Sequence, residues 1–209
     1  MANFGLRELV VVDPHPPVWA EARKSAVAGE TVLNNARAVG SLDEALDGCT
    51  RVIGTTAGSR RNLDRPLRGS AALRHRGRIA ILFGSEKTGL GNQDLSYCHD
   101  LVRLPTTAEA PSMNLAQAVA VCCYEWARGR RSAKSIPEKT TDVGELLRLL
   151  DIVTPILEAS AFFEARPKPE HLRRLRRMLV NARLTPEDAA LLTQAARKIE
   201  YRLGLSKPR

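Results

Sequence analysis

Apolar residues in this chain form short, nearly unbroken runs in the first half and helix-spaced stripes in the second. Residues 8–13 (Glu-Leu-Val-Val-Val-Asp) predict a buried strand closed by Pro14, Pro16 and Pro17. Residues 18–28 have helical composition, residues 31–33 predict a brief strand, and residues 42–46 predict a helix. Strands are expected at 50–53, 79–83 and 101–104, followed by a helix from about Asn114 to Arg128. In that helix Leu115, Val119, Cys122 and Trp126 recur at helical spacing, a stripe suited to packing against a core or a second subunit. Strands alternating with helices imply a mostly parallel sheet covered on both faces, so the fold class is α/β.

The pattern changes after Trp126. The stretch Arg128-Gly129-Arg130-Arg131-Ser132-Ala133-Lys134-Ser135 is polar and basic, and Pro137 interrupts any continuing helix. The chain thus divides into an α/β domain at 1–130, a linker at 131–140 and a helical C-terminal domain at 141–209. Helices are expected in the last part at 141–163, 169–180 and 185–203. Thr185-Pro186-Glu187-Asp188 is a start signal, with Thr185 as the cap, Pro186 at the first helical position and acids in the first turn.

Hydrophobic residues make up 44% of the 209, enough for a core, but aromatic residues are only 4%. Val, Leu, Ile and Ala must therefore fill that core, and broad aromatic platforms for bare nucleotides are disfavoured. A formal charge of +9 suits a polyanion such as RNA and equally suits a basic, soluble surface. Cys49, Cys98, Cys122 and Cys123 form no metal-ligand pattern with His15, His75, His99 and His171, so no metal is expected. Cys122 and Cys123 fall in an apolar helical pattern, which predicts core packing for at least one of them. No signal peptide or apolar run of membrane-spanning length is present, and a cytoplasmic location is expected.

Three predicted strands each end in a loop of small residues, the position where open α/β sheets hold ligands. The first is Gly54-Thr55-Thr56-Ala57-Gly58-Ser59-Arg60-Arg61. The second is Phe83-Gly84-Ser85-Glu86-Lys87-Thr88-Gly89-Leu90, and the third runs from Leu104-Pro105 to Pro111-Ser112-Met113-Asn114. The second loop is not a phosphate loop, because Lys87 and Thr88 precede Gly89 where they would have to follow it. No Gly-x-Gly-x-x-Gly follows the first strand either, so NTPase and dehydrogenase chemistry are disfavoured. Asn114 and Gln117 have the spacing of a capping box, and a capped helix start also offers N–H groups to an anion.

In order and spacing, these loops resemble the SPOUT class of RNA 2′-O-ribose methyltransferases, of the TrmH and TrmJ type and nearest to its TrmJ-like members. The resemblance covers Asn3 to about Arg128 without a large gap, and the helical tail fits the C-terminal extension of TrmJ-like members in kind. It implies a deep trefoil knot and a donor pocket for S-adenosyl-L-methionine lined by Thr55, Thr56, Ala57, Gly84, Leu104, Pro111, Ser112 and Met113. It places Glu86, Ser112 and Asn114 near methyl transfer and makes the Asn114 to Arg128 helix a homodimer interface. The implied substrate is tRNA, methylated on a pyrimidine ribose of the anticodon loop.

Two departures qualify the match. Gly58 stands where TrmJ-like sequences usually carry arginine, leaving Arg60 to serve RNA phosphates. The family's first strand and its arginine-bearing helix have no counterpart before Asn3-Phe4-Gly5-Leu6. A mis-assigned or shortened start is the expectation; the alternative is a catalytically weak or inactive RNA-binding member of the class. In the tail, Leu172, Leu175 and Leu179 share a face while Arg173 and Arg177 offer an RNA backbone contact or simply a solvated surface.

Overall fold

A computed structural model describes the chain except for residues 15–21, 25, 27, 58–66, 74, 76, 133–138, 165–166 and 206–209; at 130–132 only the backbone is described. Strands β1 (Val10–Val12) and β2 (Arg37–Val39) form a parallel pair. Four further strands, β3 (Arg51–Thr55), β4 (Leu67–Arg68), β5 (Ile79–Leu82) and β6 (Asp100–Val102), form a parallel sheet in the order β4-β6-β3-β5. Every described strand pairing is parallel.

Val52 and Ile53 are adjacent in β3 and both fully buried, which requires a covering layer on each face of the sheet. On one face Val52 and Leu101 pack with Leu46, Tyr97 and Cys98. Ile53 and Val102 meet Leu73, Cys122 and Trp126 on the other. The second layer comes from a 3-10 turn, Ser70–Leu73, and a long helix that follows the third loop.

Helices of the α/β part include α1 (Glu30–Asn34), α2 (Leu42–Ala45), α3 (Asn92–Leu95) and α4 (Leu115–Ser132). The strand expected at 31–33 is overturned, since those residues lie inside α1. Gly29 and Glu30 start a helical turn there that buries Val32 alone, and the local β-branched composition is overridden. The strand of this region is β2 instead, where only Val39 is buried. In β1 each valine is half-buried, because its one ladder partner leaves the other edge without a described pairing. The helix expected at 18–28 lies largely outside the described residues. The basic run expected to begin the linker is still helical through Ser132, since its arginines sustain a helix and the one glycine, Gly129, does not end it.

Among the described residues of the tail, three helices follow: α5 (Val143–Ala159), α6 (Lys168–Ala182) and α7 (Pro186–Arg202). The Asp142 carboxylate caps α5 by accepting from the Glu145 N–H at 3.2 Å. Thr185 caps α7, its hydroxyl accepting from the Asp188 N–H at 3.1 Å. This tail is seated on the sheet. Val143 and Leu147 enter the Val52 and Leu101 core, and the Val143 N–H donates to the Cys49 carbonyl at 2.9 Å. A Cβ on Gly144 would lie 2.0 Å from Asp47 Oδ1, so a larger residue there would have to displace that exposed carboxylate. No helix among the described residues is long and apolar enough to cross a membrane.

Candidate active site

The C-terminal ends of β3, β5 and β6 are tied together by the first loop. The Thr55 hydroxyl donates to the Leu82 carbonyl of β5 at 2.8 Å, and the Thr56 N–H donates to the Val102 carbonyl of β6 at 3.1 Å. Just before them, Gly54 lets β6 and the second loop close in, since a Cβ there would stand 2.7 Å from Cys98 Sγ. The sheet's short strands therefore end in one fixed rim.

The second loop leaves β5 and folds back on itself. The Gly89 N–H donates to the Ser85 carbonyl at 2.8 Å, Ser85 and Gly89 form an isolated antiparallel bridge, and Gly89 has φ +68°. The Ser85 and Thr88 hydroxyls are 2.7 Å apart, and the Thr88 N–H donates to Ser85 Oγ at 3.2 Å. Gly84 fixes the closure: a Cβ on it would fall 2.0 Å from the Gly89 carbonyl carbon and 2.2 Å from the Leu90 nitrogen. Leu90 then drops into the interior, and residues 85–89 stay exposed.

The third loop is pinned by the Thr106 hydroxyl, which donates to the Pro111 carbonyl at 3.2 Å. Asn114 begins α4, its Oδ1 accepting from the Ala116 N–H at 2.9 Å, which leaves its amide N–H groups for other partners.

The three loops surround a cleft of about 640 Å³. All eight positions picked out for the donor pocket border it: Thr55, Thr56, Ala57, Gly84, Leu104, Pro111, Ser112 and Met113. So do Glu86, Ser112 and Asn114. Phe83, Lys87, Thr106 and Ala118 also border it. Lys87 was visible in the sequence because glycines bracket its loop; nothing in the pattern marked Thr106. Arg173 and Arg177 lie half-buried on α6 and do not border the cleft, and Arg60 lies outside the described residues.

Behind the rim, the sheet is held by a buried charge cluster. Asp100, 4% exposed, receives Arg51 Nε at 2.9 Å and Arg68 Nε at 2.7 Å. Arg51 Nη1 also lies 3.2 Å from His75 Nε2, and the Val52 N–H donates to His99 Nδ1 at 3.0 Å. Sequence separations of 49 and 24 residues hid these contacts from any local pattern.

Residues 1–124 match the SpoU rRNA Methylase family. The chain belongs to that family. Among its relatives, an uncharacterized tRNA/rRNA methyltransferase of Haemophilus influenzae is 31% identical, over 99% of this chain and 89% of that protein. The tRNA (cytidine/uridine-2′-O-)-methyltransferase TrmJ of Klebsiella pneumoniae is 32% identical over 96% of this chain and 88% of its own. The crystal structure of TrmJ from Z. mobilis ZM4 superposes with a TM-score of 0.82 at 27% identity, covering 95% of this chain and 89% of that one. The likeness thus includes the helical tail as well as the SpoU methylase domain. Membership carries with it the knotted chain path implied for the SPOUT class.

Proposed function

We propose that this SpoU-family protein is an S-adenosyl-L-methionine-dependent tRNA ribose 2′-O-methyltransferase acting on a pyrimidine of the anticodon loop, in the cytoplasm. One observation carries the proposal: three separate loops, fixed to a common rim by the Thr55 and Thr56 hydrogen bonds, converge on a single cleft. The near full-length likeness to TrmJ proteins supports the choice of substrate.

The cleft fits the donor. Its volume of about 640 Å³ falls in the range of small-molecule sites, and Ala57, Leu104 and Leu115 give it apolar wall against which an adenine can lie. Thr55 to Ala57, Gly84, Leu104 and Pro111 to Met113 would hold it, with exposed backbone groups of the loops reading the base edge. When bound, S-adenosyl-L-methionine supplies a methyl group activated by its sulfonium sulfur.

The chain's own task is to aim a ribose hydroxyl and ease the departure of its proton. Glu86 is the only carboxylate among the described residues bordering the cleft, and it accepts the hydrogen bond of the entering 2′-hydroxyl. Ser112 and the Asn114 amide stand on the opposite loop and orient the ribose from that side. Asn114 does so from a fixed position, because its carbonyl side is engaged with Ala116.

Two assembly features belong to the same proposal. On α4 the side away from the core exposes Val121 and Tyr124, and a homodimer formed through the Asn114 to Arg128 segment covers them. Arg173 and Arg177 contribute to RNA phosphate binding outside the cleft, and Arg60 contributes to it as well. Incubation of the protein with labelled donor and unmodified tRNA, followed by nucleoside analysis, tests the reaction; 2′-O-methylated cytidine or uridine is expected, and donor binding without transfer would support the inactive RNA-binding alternative.

A further inference from the structure

Glu86 and Lys87 are the only charged residues among the described residues that border the cleft. They are adjacent in sequence and exposed, and neither has a side-chain hydrogen bond or ion pair to another described residue. The backbone carrying them is closed by the Ser85 to Gly89 bridge and the 2.7 Å contact between the Ser85 and Thr88 hydroxyls. A lone, solvated cation on such a loop, beside the site of a reaction on a polyanion, calls for an anionic partner.

Ribose chemistry supplies one. The carbon next to the one bearing the 2′-hydroxyl bears the 3′-phosphodiester, so no 2′-hydroxyl within an RNA chain, short of its 3′ end, can enter the cleft without a phosphate beside it. That phosphate would repel the Glu86 carboxylate unless a cation stood between or alongside. We propose that Lys87 binds the phosphodiester 3′ to the ribose being methylated and thereby sets the position of its 2′-hydroxyl against Glu86. The proposal rests on the methyltransferase function above. A lysine suits it, because a point charge on a flexible stem can follow a phosphate without demanding the bidentate geometry of arginine. The neighbouring pair then divides the nucleotide between them: Glu86 takes the hydroxyl and Lys87 the phosphate.

The test compares wild-type protein, Lys87→Gln and Lys87→Arg with unmodified tRNA and S-adenosyl-L-methionine. Three quantities are read: donor affinity by calorimetry, tRNA affinity across a salt series, and kcat and KM for tRNA at saturating donor. Loss of one phosphate contact should reduce the slope of log affinity against log salt by about 0.7 to 0.9 in Lys87→Gln. Donor affinity should stay unchanged, and kcat/KM should fall about tenfold or more, with kcat itself lowered because the hydroxyl is no longer held. Lys87→Arg should recover most of both effects. An unchanged salt slope would overturn the contact. A loss confined to KM would place Lys87 on a distant stretch of RNA backbone, and a matching loss of donor affinity would place it in the donor pocket; either overturns the proposal. Failure of the functional reading is distinct from these, since it shows as no transfer by the wild-type protein.

Discussion

The Arg176 guanidinium lies 4.0 Å from the centre of the Tyr97 ring and donates to Ser96 Oγ at 3.2 Å, joining α6 of the tail to the turn that leads from α3 into β6. The Tyr97 hydroxyl in turn hydrogen-bonds to Asp43 of α2. Burial and that Asp43 contact push the Tyr97 phenol well above its ordinary range, so the ring remains a neutral face for the arginine throughout the usable pH range. The tail is therefore fixed by a specific cation-on-ring contact as well as by Val143 and Leu147.

Replacing Arg176 by Ala should cost about 2 kcal/mol, the sum of a cation–π contact and a hydrogen bond that is partly buried. For a chain of this length that corresponds to a fall in Tm of roughly 4–8 °C. Arg176→Lys should recover part of the loss, since the ammonium keeps the charge but not the planar stacking. Thermal unfolding followed by circular dichroism reads both; an unchanged Tm for Arg176→Ala would mean that the tail is held by its apolar contacts alone.

Gly84→Ala should abolish donor binding while leaving most of the fold intact. Its Cβ would be forced within 2.4 Å of the Gly89 and Leu90 backbone, so the second loop has to open at the wall of the cleft. Gly89→Ala is the contrasting case: a Cβ there has open space, and the cost is only that of holding φ +68°, about 1–2 kcal/mol. Calorimetry with S-adenosyl-L-methionine should show no heat for the first variant and weakened binding for the second.

The parts of these loops stand plainly in the sequence. The glycines of the second loop, the proline and small polar residues of the third, and Thr55 and Thr56 at the end of β3 all stood in the primary structure at strand ends, where α/β sheets form their sites. Their convergence was legible because it follows from the parallel arrangement of β3, β5 and β6. The brief strand at 31–33 was misjudged because Thr31 and Val32 have β-branched side chains, while Gly29 and Glu30 start a helical turn that only the surrounding packing selects. Arg176 on Tyr97 and Arg51 on Asp100 were illegible for another reason: pairs 79 and 49 residues apart leave no periodic trace.

Asp100→Asn should destabilise the protein by about 3–5 kcal/mol, because it removes the anion that two arginines share in a buried position. Chemical denaturation gives the comparison. A loss below about 1 kcal/mol would indicate that solvent reaches this cluster freely.

All four cysteines are buried and none is bonded to another. Burial, reinforced by Cys123 and Glu125, pushes the Cys122 thiol up to about 12, and burial raises Cys49 and Cys123 as well. A raised thiol pKa means that the reactive thiolate is scarce at neutral pH and becomes populated only as pH climbs toward that raised value. Ellman's reagent at pH 8 should therefore find almost no fast-reacting thiol in the native protein and four in denaturant. A full native equivalent reacting within seconds would contradict the burial of these four thiols.

Methyl transfer itself decides whether this cleft is an active site. Wild-type protein is incubated with methyl-labelled S-adenosyl-L-methionine and unmodified tRNA, and the tRNA is digested to nucleosides. Label is expected on the ribose of cytidine or uridine, and is lost in Gly84→Ala. Label on a base, or tight donor binding with no label in any tRNA, would contradict it.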